Sequence, residues 1–528
     1  MTGPLPRATA RGRALARDLG GLLGGGSVSC QPSDLWAAGL DAWPRGRIWL
    51  KTGRSRYTPD VVVWPRDAGQ VAQVIAFAAE RLIPVVPFGG GGSACGAALP
   101  VRGGITLDLK RLSASPRIDL PFRAVDVRAG VNGGRLEEAL QAAGATLGHF
   151  PADRAASTVG GWMATRSGGC SAGRYGKIED LVLSLEAVDG TGAQLRTVDG
   201  PSAGPDLAQL LLGSEGTLCV FTAARLRIFP KPRARWRRAI RCQGFVAGLQ
   251  AAQAIVRAGL RPARLEVLDP LSSLLAGLGG AALPGPLRIL AEAGQHEGLR
   301  LLLRAPRLLG ALIDALPAAA TLLLEFEGDG PDAESDVEEE GAEALRLCAG
   351  PGERGHDLGA PAAERPLSAR EGSGLPLLAS AGAFVEQLDV AAVWDRLPAL
   401  ATALQRAAAG KALFLLRLSH AWPDGGALDA TMVGPPGLSM ESSFALDPAG
   451  RDAAEDDVAA EERLAVECLA AALAAAADAG ATLSHHRGVG LARALGLPRE
   501  HGEGMRALRA LKQAFDPRGI LNPGKLLL

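Results

Sequence analysis

Tyrosine and methionine are nearly missing from this 528-residue chain: it has two tyrosines and five methionines, and aromatic residues together make up 4%. No run of about 20 apolar residues occurs, which excludes an ordinary transmembrane helix. Neither sign of charge dominates, since 56 Lys and Arg balance 56 Asp and Glu. A chain without a global basic field has no general hold on nucleic acid or anionic lipid. The seven cysteines (30, 95, 170, 219, 242, 348 and 468) include no CxxC pair and are odd in number. That pattern argues against a disulfide framework and against a zinc or iron–sulfur site, and fits reduced thiols in a soluble cytoplasmic protein with no metal. The N-terminus, MTGPLPRATARGRALARDLGG, lacks the apolar run of a secretory signal and reads as a frayed basic leader rather than an organelle-targeting segment.

Glycine is abundant instead, at 69 residues, which implies many tight turns or close backbone approaches. From Val61 the pattern alternates: VVVWP reads as a buried strand, and Asp67 with Gln70 suggests a capping box for a helix carrying Val71, Val74, Ile75, Ala78 and Leu82. Further strands are expected at 85–87, 105–109, 124–131 and 181–188, with a helix over 134–145. Two prolines and several arginines near Phe229–Pro232 mark a boundary. Beyond it, strands such as TLLLEFEG (321–328) and KALFLLRLSHAW (411–422) alternate with leucine-rich helices, as in an antiparallel sheet with helices on one face. The ten acidic residues from Glu325 to Glu343 read as a solvated loop leading into an exposed helix. An alanine-rich helix (456–479), a strand ATLSHHRGVG and a helix ending before Pro517 complete an α+β chain. The expected units are a leader with a helical segment (1–55), an α+β domain (56–235), a substrate-covering domain (236–455) and a closing segment (456–528).

Three glycine- and hydroxyl-rich stretches fall in order within residues 56–235. PFGGGGSACG (87–96) directly follows a strand, so its amides can converge on an anion. It is neither a GxGxxG fingerprint nor a Walker loop. HFPADRAASTVGGWMATRSGG (149–169) and LLGSEGTLCVFTAARLRIFP (211–230) follow it.

These stretches resemble the flavin-binding unit of the vanillyl-alcohol oxidase and p-cresol methylhydroxylase superfamily. STVGGW, TRSGG, YGKIEDLV and LSHHRGVG are similar to its alkyldihydroxyacetonephosphate synthase (alkylglycerone-phosphate synthase) branch. GSEGTL and DPRGILNPGK are similar also to glycolate oxidases and D-lactate dehydrogenases. The resemblance implies a two-subdomain FAD-binding domain of the p-cresol methylhydroxylase type under an antiparallel-sheet cap. It implies FAD, which is expected to be noncovalent because the glycine loop has no His to attach it. Pro87, Phe88, Gly89, Gly90, Gly91, Gly92 and Ser93 would wrap the pyrophosphate. Ala152, Asp153, Ser157, Thr158, Gly160, Gly161, Thr165, Arg166, Ser167 and Gly168 would line the ribityl chain and the ring system, and Glu215, Gly216, Thr217, Leu218, Val220 and Phe221 would close the other side.

For catalysis the candidates are His485, His486 and Arg487. Neighbours on a strand point to opposite faces, so one histidine is expected to face the flavin as base while the other acts as a structural donor. Arg487 can clamp a carboxylate or phosphate. His420 and Trp422 are candidate substrate contacts. Against the synthase pattern, Trp422 replaces a tyrosine and Glu266 and Pro376 replace arginines. The leading expectation is an oxidoreductase moving a hydride from an alcohol or 2-hydroxy acid to flavin N5. The alternatives are alkylglycerone-phosphate synthase and a catalytically decayed flavin-binding protein. The partner would be a small-molecule or lipid-like substrate, without nucleic acid; the electron acceptor is unassigned, and a homodimer and a peripheral membrane contact are left open.

Overall fold

A computed structural model describes residues 6–51, 55–200, 203–276, 303–304, 319–349, 355–368, 382–437 and 448–527. The valine run Val61–Val63 forms a strand buried on both faces, and Ile105–Asp108 joins it and Val85–Phe88 in parallel. Strand Val28–Ser29 adds an antiparallel edge. The connecting helix Ala68–Arg81 starts where expected: the Asp67 carboxylate accepts the Gln70 N–H at 2.8 Å, and the Gln70 side chain accepts the Arg66 N–H at 2.9 Å. Its Val71, Val74, Ile75 and Ala78 are fully buried against the sheet, where each larger side chain contributes roughly 1.5–3 kcal/mol. The presumed leader is no frayed tail over Ala10–Leu23. That segment is a helix capped by Thr9, and it buries Leu15 and Leu19 in the same core because those two leucines recur at helical spacing.

A second, antiparallel sheet runs in the order Arg117–Asp119, Ala124–Arg128, Cys219–Arg227, Val182–Asp189, Gln194–Arg196. Helices Gly133–Ala142 and Val159–Thr165 cover it, with Leu136, Leu140, Val159, Trp162 and Met163 in its core.

The third sheet has seven antiparallel strands, and its two faces differ in character. On one, Trp236, Ile240, Val267, Leu322, Leu324, Phe326, Leu388, Leu416 and Leu428 form the largest core with helices Phe245–Arg257, Ala333–Cys348, Leu397–Ala407 and Pro448–Asp478. The alternate residues are polar: Glu266, Glu325, Glu327, Gln387, Asp389, Arg417, Ser419 and Asp429. Period-2 side-chain alternation thus places a charged surface toward the glycine-rich unit. On that side sit two short helices, Pro270–Leu275 and Ala360–Ser368, which the expectation of helices on one face did not include.

Two local expectations are corrected. The acidic run is not all solvated: Glu325 and Glu327 lie on the strand Ala320–Gly328, buried, where they pair with Arg237 and Arg235, and Glu327 also accepts the Tyr175 hydroxyl at 2.6 Å. Residues 481–490 form no strand but an irregular loop: Thr482 and His485 donate to the backbone of the strand Ala383–Val393, while the amides of Leu483, His486, Arg487, Val489 and Gly490 go to carboxylates.

Candidate active site

An elongated cavity of about 470 Å³ lies between the glycine-rich unit and the polar face of the large sheet. Pro87–Ser93 form one wall, Ala152, Asp153, Ser157, Thr158, Gly160, Gly161, Thr165, Ser167 and Gly168 a second, and Glu215, Gly216, Val220 and Phe221 a third. Among the described residues, the N–H groups of Gly90 to Ser93 donate to no protein acceptor. Four such amides along a cavity wall make a site for an anion. The loop is held close to its neighbour: a Cβ on Gly90 would stand 2.0 Å from the Ala156 carbonyl oxygen, and one on Gly92 would stand 2.2 Å from the Asp153 carboxylate.

Three of the expected wall residues lie outside the cavity lining. Arg166, at φ 50°, turns away and spends its guanidinium on Leu212 and Gln209. The Thr217 hydroxyl donates to Ser214 O at 2.7 Å, and Leu218 is packed in the core of the second sheet. Sequence spacing cannot tell which side of a turn faces inward.

At the far end His486 and Arg487 reach the cavity, together with Gln387. His485, His420 and Trp422 stand behind them. The Trp422 and His485 rings stack in parallel, 5.1 Å apart and 9° from coplanar. A bulge in the pairing at Leu418/His420 turns His420 toward the cavity unit, where its Nε2 meets Gly169 O at 3.1 Å and its Nδ1 meets Ser419 Oγ at 3.0 Å. Gly168 permits this approach, since a Cβ there would lie 2.9 Å from His420 Nε2. The two adjacent histidines do not diverge as strand neighbours would; their Nδ1 atoms are 3.2 Å apart. His420, His485 and His486 each bring a ligand nitrogen within 4.8 Å of the others. That spacing can hold a cation, a capacity the sequence reading, with no metal assigned, did not contain.

Two carboxylates missed by sequence reasoning organise this end. Asp389 accepts the N–H groups of His485, His486 and Arg487 at 2.8, 2.6 and 3.1 Å, and pairs with Arg493 at 2.7 Å. Burial opposes its ionisation, but Arg493, His486 and Arg487 outweigh that and hold the carboxyl below the usual range. Asp429 is likewise held well below it: burial is outweighed by Arg487, His486 and Arg417. Its oxygens lie 3.0 Å from Arg487 and 2.7 Å from Arg417. His486 sits between the two, with Nδ1 3.5 Å from Asp389 and Nε2 3.8 Å from Asp429. The usable signal was acids set in two largely apolar strands, Glu386 and Asp389 in AFVEQLDVAAV and Asp429 in GGALDATMVGPP. Burial, with His420, Lys177 and His486 adding to it, pushes the basicity of His485 well down.

A family model described as FAD binding domain matches residues 59–198, and one described as FAD linked oxidases, C-terminal domain, matches residues 231–526. The chain belongs to the FAD-linked oxidases. This FAD-linked oxidase is 27% identical over 473 residues to the glycolate oxidase subunit GlcD of Bacillus subtilis, which covers 89% of each chain. It is 33% identical over 228 residues to the alkyldihydroxyacetonephosphate synthase of Caenorhabditis elegans, covering 42% of this chain and 38% of the synthase. To the D-lactate dehydrogenase of Archaeoglobus fulgidus it is 39% identical over 177 residues, or 33% of this chain and 39% of that one. The chain thus spans less than half the length of the synthase and the dehydrogenase. Its fold is shared with a solved p-cresol methylhydroxylase with substrate bound (TM-score 0.72, 16% identity, 98% of this chain and 97% of that one). It is shared also with a solved alkyldihydroxyacetonephosphate synthase (TM-score 0.70, 21% identity, 97% of this chain and 85% of that one).

The cofactor of the FAD-linked oxidase is FAD, and the cavity fits it. The undonated amides of Gly90 to Ser93 suit a diphosphate where, among the described residues, no lysine lines the wall. Behind the cavity, Glu386 is a further buried carboxylate, 1% exposed, that accepts the Trp43 indole N–H at 3.2 Å. Burial, against the pull of Arg45, raises it from 4.5 to about 7. A carboxyl raised on folding contributes stability that is fully present below its unfolded value and is lost as pH rises through its folded one. The wild type is therefore expected to lose up to about 3 kcal/mol relative to Glu386→Gln between pH 5 and pH 8. Melting curves across that range check this; parallel curves for the two proteins would refute it.

Proposed function

We propose that this FAD-linked oxidase removes a hydride from an alcohol or 2-hydroxy acid, with His486 as general base and Arg487 orienting the substrate. The observation that carries the reading is that these two side chains alone of the candidate catalytic trio reach the cavity, flanked by Asp389 and Asp429. FAD, when bound, supplies the electron sink that takes the hydride at N5. The chain's part is proton handling and positioning. A carboxylate only accepts, and Asp389 stands nearer Nδ1 (3.5 Å) than Asp429 does Nε2 (3.8 Å), which favours the tautomer of His486 that carries its proton on Nδ1 and has Nε2 take the hydroxyl proton as the carbonyl forms. The imidazolium so produced lies between two carboxylates and is stabilised by both. Burial weakens His485 as a base, and its ring stacks on Trp422, so we assign it to positioning. Residues 56–235 are taken as the cofactor-binding unit, 236–455 as the substrate cover, and 456–528 as the segment completing the site.

The identity to the synthase favours a second reading, exchange of an acyl for an alkyl group on dihydroxyacetone phosphate. Two of the substitutions weigh against it. Glu266 does not replace a phosphate-binding arginine in kind but ties up Arg264 at 2.6 Å and stands 3.6 Å from Arg417, and Trp422 has no acidic hydroxyl. Pro376 lies outside the described residues. An anaerobic visible spectrum of the FAD-loaded protein separates the readings. Bleaching of the flavin bands by a panel of alcohols and 2-hydroxy acids is the expected result. Bands shifted only by acyl-dihydroxyacetone phosphate would favour the synthase, and a spectrum indifferent to every addition would favour a decayed flavin-binding protein.

A further inference from the structure

The loop carrying the candidate catalytic residues has almost no backbone partner within itself, and its amides are distributed over three acceptors from different parts of the fold. Asp389, on the large sheet, takes His485, His486 and Arg487. The Glu215 carboxylate takes Val489 and Gly490, the latter at 2.8 Å, and the Cys95 carbonyl takes Leu491 and Ala492 at 2.8 and 3.1 Å. Glu215 and Cys95 belong to the walls of the FAD cavity or to the end of its glycine loop, so the loop is hung between the cofactor site and the cap.

Glu215 is built for this junction. It is buried and held at φ 50°, a conformation unfavourable for a residue with a Cβ, which persists only where surroundings impose it. Its own N–H donates to Ala164 O at 2.9 Å in one cavity wall, and its carbonyl accepts from Asn522 Nδ2 at 2.7 Å. The glycine that follows packs on Pro87, and a Cβ there would be 2.8 Å from the ring. From the loop side, Gly488, at φ 79°, leaves room for the carboxylate, which a Cβ would approach to 2.7 Å.

We propose that Glu215, which the sequence reading placed among the cofactor-binding residues, is a positioning residue that couples occupancy of the FAD cavity to the placement of loop 484–492. Filling the cavity excludes water from the carboxylate and strengthens its hold on the two amides. By reciprocity, an ordered loop raises affinity for FAD by the same factor. The coupling holds whichever reaction the loop serves, and its test needs no substrate.

The test is hydrogen exchange of the 484–492 peptide with and without FAD, alongside FAD titration. In the wild type, FAD slows exchange in this peptide by about tenfold or more. Glu215→Gln keeps the shape but turns one acceptor into a donor facing an N–H, so FAD still binds, about 3- to 30-fold more weakly, and the protection at two of the amides is lost. Gly488→Ala, which displaces the carboxylate without changing its charge, gives the same loss, and it stands in for Glu215→Gln if that variant fails to fold. Full FAD-dependent protection in either variant overturns the proposal. So does a Glu215→Gln protein that no longer binds FAD while its cofactor-free loop exchanges as in the wild type, because Glu215 would then be a direct ligand.

Discussion

Replacing His486 with alanine is expected to slow flavin reduction by the donor about 10²- to 10⁴-fold, the usual contribution of a positioned general base, with FAD still bound. His486 reaches the cavity and has a carboxylate on each side, Asp389 3.5 Å from Nδ1 and Asp429 3.8 Å from Nε2. His485→Ala should cost far less, about tenfold or under, because a neutral, stacked ring behind the base affects only placement. Anaerobic stopped-flow reduction of the two variants distinguishes them. Equal losses would mean that the pair acts as a unit, and a larger loss at His485 would reverse the assignment.

The second large effect concerns cofactor retention. Gly90→Ala should yield protein purified without its flavin, with affinity for FAD lowered about 100-fold or more, since displacing the cradle by an ångström removes several charge-assisted bonds together. The cause is steric. A Cβ on Gly90 would meet the Ala156 carbonyl oxygen at 2.0 Å, its carbon at 2.8 Å and Ser157 Cα at 2.9 Å, all backbone atoms that cannot rotate away. Gly144→Ala is the control: that glycine has φ 76° and nothing within 4 Å of a Cβ, so it should cost only about 1 kcal/mol of stability and leave FAD in place. The ratio of flavin to protein absorbance after purification, followed by titration with FAD, reads both. Gly90→Ala protein that keeps its yellow colour would refute the argument.

Much of the cavity was legible because its chemistry is local. A glycine loop after a strand, a hydroxyl- and glycine-rich stretch and a Gly-Ser-Glu-Gly turn each declare close backbone approach within ten or so residues, and nearly all of the residues expected from them do line the wall. The exceptions, Arg166, Thr217 and Leu218, lie next to lining residues, where one step along a turn reverses the direction of a side chain. The longer strands of residues 61–188 and the helices Ala68–Arg81 and Gly133–Ala142 were equally legible from period and caps, since both signals operate between neighbours in sequence; the short helices Val159–Thr165 and Ile178–Leu181 were not.

What the sequence by itself determined, then, is most of the strands and helices of the glycine-rich unit, most of the residues along the cavity walls and the composition of loop 484–492. Only the tertiary structure decided what that loop is. Read alone, ATLSHHRGVG has the look of a strand whose histidines part; in the fold, Asp389 and Glu215 claim amides of it, and Cys95 those of Leu491 and Ala492 just beyond, across separations of about 100, 270 and 395 residues. Those acceptors lie on elements whose own patterns reveal nothing of the loop. Backbone donors must be satisfied wherever they are buried, and a carboxylate hundreds of residues away can satisfy them as well as an adjacent strand. Such a choice rests on three-dimensional proximity and leaves no periodic trace in the sequence, which is why both histidines converge on one end of the cavity.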